Sequence, residues 1–303
     1  MRAGDSYEEL RDLPNLRTTV LGRPLLITET TESTNDDAKL LANENLLGHG
    51  AVLLARTQSG GKGRLGRQWA SPRGGVFMSV ILQPEMPPER VPGLSLVVGY
   101  SVACALRDDF GLDAKVKWPN DVLVSGRKVC GILCEMKAEE GHVNYVIAGI
   151  GVNANLRAES FPGEVRDRAT SMAIELGHGV NQDLVVSSIL NHFEPIYEEF
   201  ALRGLKALAK RITDIAAYLG ERVIIQNRVA HQTLEAVTKR PEVRDHQATG
   251  ESGITGWMTS GASLPVPFDE GIFAGIDEAG RLLLDNGGII RAFDVGDLSL
   301  RSV

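Results

Sequence analysis

Chemistry in this chain is concentrated first in one basic, glycine-rich stretch. Between Thr57 and Pro84 there is no acidic residue, yet Lys62, Arg64, Arg67 and Arg73 all fall there, a local charge of +4 in a chain of formal net charge −7. Gly60, Gly61, Gly63, Gly66, Gly74 and Gly75 are interleaved with them. Glycine lets backbone close over a ligand and turn N–H groups toward it, while Lys and Arg neutralise oxyanions. A solvated surface loop would also be basic, but it would not need this density of glycine. The stretch predicts an anion-binding loop.

Three phosphate motifs are matched there or nearby, and each fails on context. Gly61-Lys62-Gly63-Arg64-Leu65-Gly66 spells the dinucleotide fingerprint, which must open a helix and be followed by an acid about 20 residues on. Here Pro72 and two glycines lead into a strand-like run instead. Asp109-Phe110-Gly111 has neither a catalytic loop before it nor the expected motif after it, so a kinase is excluded. Lys62 is followed by Gly63, not by Ser or Thr, which removes the P-loop.

The elements that must hold this loop follow from patterning. The 303 residues suggest two domains at about 150 residues each. With 43% hydrophobic and 23% charged residues the chain is ordinary globular material. Its acidity argues against a general nucleic-acid binder. The N-terminus carries no signal-peptide core, and the most apolar run, 91–106, is interrupted by Pro92, Gly93, Ser95, Gly99 and Ser101 and is too short to span a bilayer. Three cysteines, Cys104, Cys130 and Cys134, make no disulfide framework and, without histidine nearby, no zinc site. A cytoplasmic protein with reduced thiols and no membrane segment is expected.

Ser33, Thr34 and Asn35 followed by Asp36 and Asp37 predict a helix start running to about Asn45. Strands are expected at 51–57, 76–83, 114–118, 121–125, 129–136 and 143–152, with helices at 91–109, 182–200 (disturbed at Pro195) and 204–218. From Glu221 the texture changes to short strands at 221–226, 271–277, 281–285, 288–293 and 297–301, a spacing that suits a small β-barrel. Residues 228–270, rich in Gly, Ser, Thr, Pro and charge, are too long for a hairpin loop and read as an insertion. The expected organisation is an N-terminal extension (1–24), an α+β domain (25–218) and a β-rich domain (219–303).

Four stretches, in order, resemble the biotin protein ligases: Glu32-Ser33-Thr34-Asn35; Gln58 to Trp69; Lys117-Trp118-Pro119-Asn120-Asp121 with Arg127 to Leu133; and Gly149-Ile150-Gly151-Val152-Asn153. Gly271 to Asp277 and Gly280-Arg281-Leu282 are similar to that family's small barrel. The resemblance covers about 25–226 and 271–303. It implies a mixed central sheet with flanking helices, as in class II synthetases, followed by an SH3-like β-barrel. The implied reaction joins biotin to ATP as biotinyl-5′-AMP and then passes biotin to one lysine of a biotin carboxyl carrier domain.

That chemistry brings two anions together, so cations and backbone donors aimed at developing charge are the principal need, and no histidine base is required. The resemblance implies catalytic roles for Lys128, Arg64 and Asp121. It places biotin against Ser33, Thr34, Asn35, Gln58, Lys62, Gly63, Arg64, Lys128, Gly131 and Leu133. It places ATP or the adenylate against Lys62, Arg64, Arg67, Trp69, Asn120, Asp121, Lys128 and Asn153. Asp121 is the implied ligand for Mg2+. The family commonly has Arg where Lys62 stands; Lys keeps the charge and loses the bidentate fork. Ser33 could instead cap the helix, Asn120 and Asn153 could cap turns, and Trp118 is expected to be a packing residue.

Two other readings compete. A lipoate- or octanoate-protein ligase of the related fold uses the same acyl-adenylate strategy, but the Gly-Lys-Gly-Arg-Leu-Gly-Arg-Gln-Trp loop argues against it. A regulator that senses biotinyl-AMP would carry an N-terminal DNA-binding module. The segment before Ser33 is short and acidic (Asp5, Glu8, Glu9, Asp12), so direct DNA binding is not expected. Many relatives dimerise, and the resemblance admits a homodimer.

Overall fold

The computed structural model describes residues 7–10, 13–227, 268–294 and 298–302. Eight strands form one mixed sheet: β1 (Glu8–Glu9), β2 (Leu25–Thr31), β3 (Val52–Gln58), β4 (Val76–Leu82), β5 (Lys115–Lys117), β6 (Asp121–Val124), β7 (Arg127–Glu139) and β8 (His142–Val152). Their spatial order is β1-β2-β3-β4-β8-β7-β6-β5. Only β2 and β3 run parallel, and the helix between them, α1 (Thr34–Asn43), is the crossover.

Period-2 alternation splits the sheet's two faces. Met78, Val80 and Leu82 of β4 and Val146, Ala148 and Ile150 of β8 face the larger core with α2 (Leu94–Asp108) and α4 (Gln182–Arg203). Ile81, Tyr145 and Ile147 face Ala38, Leu41 and Ala42 of α1 on the other side. The α4 helix presents Val185, Val186, Ile189, Leu190, Phe193, Tyr197 and Phe200 inward. It runs unbroken through Pro195, contrary to the expected disturbance. That ring is on the exposed face, where losing one helical hydrogen bond does not leave a buried carbonyl unsatisfied.

The helix expected at 204–218 is also corrected. Gly204 (φ +73°) ends α4, and a 3-10 turn (Leu205–Ala207) and the short α5 (Ala209–Asp214) follow in place of one helix. Ala216 then bridges Val116 of β5, so an edge strand's open hydrogen bonds win over helical continuation. The segment before residue 25 belongs physically to the main core. Leu13 and Leu21 are buried, and β1 pairs with β2. The β2 strand itself has no counterpart among the expected elements, because Leu25-Leu26-Ile27-Thr28-Glu29-Thr30-Thr31 alternates poorly.

Five strands, β9 (Arg222–Asn227), β10 (Phe268–Ile276), β11 (Leu282–Asp285), β12 (Ile290–Phe293) and β13 (Leu298–Ser302), form an antiparallel sheet in the order β12-β11-β10-β9-β13. This sheet is consistent with an SH3-like barrel, and its Phe273, Leu282, Leu284 and Leu300 join the main core. The insertion expected at 228–270 lies outside the described residues over 228–267; Phe268–Glu270 already pair with β9. Trp118, 1% exposed, donates Nε1–H to the carbonyl of Gly280 at 3.0 Å. It is the packing residue expected, and it ties the two sheets together.

Two side chains of α4 hold the N-terminal segment: Asn191 accepts from Arg17 N–H (2.7 Å) and donates to the Asn15 carbonyl (2.9 Å), and Glu194 caps the residues that follow. The Glu194 carboxylate of α4 accepts the backbone N–H groups of Thr19 (2.7 Å), Val20 (2.9 Å) and Leu21 (2.7 Å). Burial pushes this carboxyl up, but the three amides more than offset it and hold it below the usual range. Glu194→Gln is expected to lower the unfolding free energy at neutral pH by about 1–3 kcal/mol, read from urea transitions. Because the folded-state pKa is depressed, that difference is complete above the ordinary carboxylate pKa and shrinks as pH falls through the depressed value. Equal stability of both proteins at neutral pH would contradict the assignment.

Candidate active site

A cavity of about 920 Å³ opens where α1 begins, bounded by the 58–75 loop, the β5–β6 turn, β7, β8 and residues 161–169. Every residue singled out from the sequence as a site residue lines it.

The first bank is the glycine-rich loop. It folds back on itself through Gly63 N–H to the Arg67 carbonyl (2.7 Å) and Trp69 N–H to the Gly61 carbonyl (2.8 Å). Its tip holds Leu65 at φ +60°, a left-handed conformation that costs a non-glycine residue about 1–2 kcal/mol. Arg64 Nη1 donates to Asn120 Oδ1 at 3.1 Å, so the loop's central guanidinium reaches across to the opposite wall. Lys62 Nζ lies 2.5 Å from Asp36 Oδ2 in the first turn of α1. Burial raises the Asp36 carboxyl, but Lys39 and Lys62 outweigh it and hold it low. Arg67 is exposed.

The second bank is the β6–β7 hairpin. Lys128 Nζ and Asp121 Oδ1 lie 2.5 Å apart. Local register explains the meeting. Asp121 pairs with Gly131 and Val122 with Cys130, but Leu123 pairs with Lys128, so Val129 is an extra, bulged residue. In an unbulged ladder Lys128 would oppose Val124 and point to the other face; the bulge re-aims it to the Asp121 side. Asn153, 4% exposed, donates Nδ2–H to the carbonyls of Thr170 (2.9 Å) and Lys128 (3.4 Å), which fixes the backbone at Lys128. Asn120 exchanges bonds with Ile132: Ile132 N–H to the Asn120 carbonyl (2.9 Å) and Asn120 Nδ2–H to the Ile132 carbonyl (3.0 Å). Both asparagines therefore hold backbone.

The Trp69 ring lies on bare glycine between the banks. A Cβ at Gly151 would stand 2.5 Å from Trp69 Nε1, and one at Gly131 would stand 2.8 Å from Cζ3. Lys128 Nζ is 5.1 Å from the ring centroid, within cation–π range. The Trp69 Nε1–H is buried without a partner.

The floor is a polar network at the start of α1. Ser33 occupies the N-cap position but makes no capping bond, so its hydroxyl is left to the cavity. Gln58 Oε1 accepts from Thr34 N–H (2.9 Å), and Gln58 Nε2 donates to Ser71 Oγ (2.9 Å). Ser79 Oγ lies 2.7 Å from Thr34 Oγ1 and 2.6 Å from Asn35 Oδ1. Asn35 Nδ2 donates to Glu135 Oε2 (2.8 Å) and to the Leu133 carbonyl (3.3 Å), so its amide is tied to β7. Sequence reasoning passed over Ser79, Glu135 and Asp36. Ser79 had a signal, as the lone polar residue in Val76-Phe77-Met78-Ser79-Val80-Ile81-Leu82.

Asp121 is engaged by Lys128, and no cluster of three His, Cys, Asp or Glu side chains that could hold a metal ion occurs among the described residues. Magnesium commonly takes one or two carboxylates together with substrate phosphates, and Asp121 is the carboxylate of this site that could supply one. Burial pushes the Cys130 thiol up, and Cys134 up to about 11, so neither is a thiolate at neutral pH.

Residues 27–153 match the model of the Biotin/lipoate A/B protein ligase family. The biotin--[acetyl-CoA-carboxylase] ligase of Paracoccus denitrificans is 31% identical over 259 residues, covering 84% of this chain and 91% of that one. The chain belongs to the biotin protein ligase family. The bifunctional ligase/repressor BirA of Bacillus subtilis is 39% identical over 190 residues, but the match spans only 58% of that relative's length and 62% of this chain. Among solved structures, the biotin protein ligase from Aquifex aeolicus in complex with biotin and ATP is 27% identical, with a TM-score of 0.69, covering 92% of this chain and 99% of that one.

The floor's dependence on bare backbone is testable. A Cβ at Gly149 would stand 2.3 Å from Asn35 Oδ1. Gly149→Ala is expected to displace Asn35 from Glu135 and Ser79 and to cost about 1–3 kcal/mol in urea unfolding. An unchanged midpoint would show that Asn35 is free to move.

Proposed function

We propose that this protein is an ATP-dependent ligase that activates biotin as biotinyl-5′-AMP and transfers it to a lysine of a biotin carboxyl carrier domain. The observation that carries this reading is the pair of cationic banks, Arg64 on the loop and Lys128 on the bulged hairpin, facing one cavity above a fixed polar floor. Biotin's ureido ring is neutral and needs paired donors and acceptors; the Ser33 hydroxyl, beside the network of Thr34 and Gln58, is the group left to meet it.

In the first step a biotin carboxylate oxygen attacks the α-phosphorus of ATP, and the bond from that phosphorus to the bridging oxygen breaks to release pyrophosphate. Lys128, held by Asp121, faces the carboxylate and α-phosphate, and Arg64, held by Asn120, faces the adenylate. Both are preorganised where charge develops. In the second step the carrier's neutral lysine amine attacks the acyl carbon, the bond to the phosphate oxygen breaks, AMP leaves and the amine gives up a proton. Trp69 and the loop shield the mixed anhydride from water between steps. Magnesium would enter on the nucleotide's phosphates, as that ion commonly does; no step here needs a protein cage for it.

Biotin is favoured over lipoate because the relatives that match most of the chain are named as biotin ligases and because a floor with fixed polar groups rejects an acid that leaves them unpaired. Among the described residues no helix is long and apolar enough to cross a membrane. A cytoplasmic setting and a carboxylase carrier as partner complete the proposal.

The test is the acyl-adenylate itself, detected by mass with biotin, lipoate or octanoate as the sole acid. Biotinyl-AMP formed from biotin alone is expected, and product from lipoate alone would overturn the reading. Lys128→Ala should slow adenylate formation about 100-fold or more, the scale seen when one donor at developing charge is lost; a wild-type rate contradicts its role. Arg64→Ala should chiefly speed dissociation of biotinyl-AMP, and an unchanged off-rate contradicts that assignment.

A further inference from the structure

The chain crosses from the large sheet to the small one at Tyr218, and it does so in an unfavourable conformation. Tyr218 has φ +68°, where a bulky side chain is a genuine outlier. Residues held in this way persist only where their surroundings impose it, and they gather at functional sites.

The surroundings are explicit. On one side Val116 N–H donates to the Ile215 carbonyl (2.9 Å), and Ala217 N–H to the Val116 carbonyl (2.8 Å). On the other, Gly220 N–H donates to the Phe273 carbonyl (2.9 Å), and Glu221 N–H to the Tyr218 carbonyl (3.0 Å). Tyr218 is thus pinned between β5 and β10. Its neighbour Val116 sits beside Lys117, which pairs with Asp121, and Tyr218 lines the same cavity as Asp121 and Lys128. Burial pushes the Tyr218 phenol up, with the Glu221 and Asp121 carboxylates adding to the rise.

We propose that Tyr218 is a positioning residue for the Lys128–Asp121 pair, its ring walling that pair from bulk water on the side of the small sheet. This rests on the proposed adenylation. The pair is only partly covered, with side-chain exposures of 30% for Lys128 and 19% for Asp121. An ion pair in contact with water is loosely oriented and weakly coupled to a reacting anion; excluding water strengthens both. A relaxed residue at this junction would carry its side chain elsewhere, which accounts for the retained strain.

The test compares Tyr218→Asn, Tyr218→Gly and Tyr218→Phe in the full chain. Asn and Gly tolerate positive φ, so both variants should fold. Each should lower kcat for biotinyl-AMP formation about tenfold while KM for ATP and for biotin stays within about twofold. Phe, which keeps the ring, should restore the wild-type rate. Wild-type kcat in the Asn and Gly variants overturns the proposal. So does a raised KM for ATP at constant kcat, which would make the ring a ligand contact, or a Phe variant as slow as Asn. A wild-type protein that forms no biotinyl-AMP would overturn the adenylation reading, and this proposal with it.

Discussion

A lysine and an aspartate held 2.5 Å apart across a bulged hairpin are what the rest of the site is arranged around. An ion pair still in contact with water contributes little to stability, so the worth of this one lies in direction. Asp121 opens β6 opposite Gly131, the extra residue at Val129 brings Lys128 round to the same face, and Asn153, just past the end of β8, clips the Lys128 carbonyl. Remove the bulge and the lysine points into the core face, where Cys130 and Val122 are fully buried. The hairpin's irregularity is the device that makes a cationic site on this sheet.

Bare backbone is the second constraint. Gly131, Gly149 and Gly151 lie on neighbouring strands β7 and β8, and each is approached more closely than a Cβ would permit: by Trp69, Asn35 and Trp69 respectively. The polar floor and the Trp69 ring therefore both rest on a strip of peptide backbone. Polar side chains approach it from α1, and an aromatic ring approaches it from the loop. The loop's own strain is at Leu65, φ +60°, next to the Arg64 that reaches Asn120 on the opposite wall.

Much of this was legible in the sequence because its signals are local. The cation and glycine density of 58–75, the polar start of α1 and the Trp118-Pro119-Asn120-Asp121 turn each specify their own surroundings. The main strands and α2 fell within a few residues of expectation for the same reason. What escaped depends on partners distant in the chain. Whether Pro195 breaks a helix depends on which face it occupies. The chain at 215–217 forgoes a helix because β5 offers it an edge. Glu135 matters only because it meets Asn35, 100 residues away, and nothing around Tyr218 announces a strained junction. The hydrogen bonds by which Asn35, Asn120 and Asn153 hold neighbouring groups also depend on partners distant in the chain.

The central claim is that Lys128 and Asp121 act as one unit in forming the acyl-adenylate. A double-mutant cycle with Lys128→Met and Asp121→Asn, read as the single-turnover rate of biotinyl-AMP formation, tests it directly. The account predicts that the double variant is no slower than the worse single one, a coupling of about 1.4 kcal/mol or more, equivalent to at least tenfold non-additivity. Additive losses would mean that the two residues serve the reaction separately, and the site's organisation around their pairing would be contradicted.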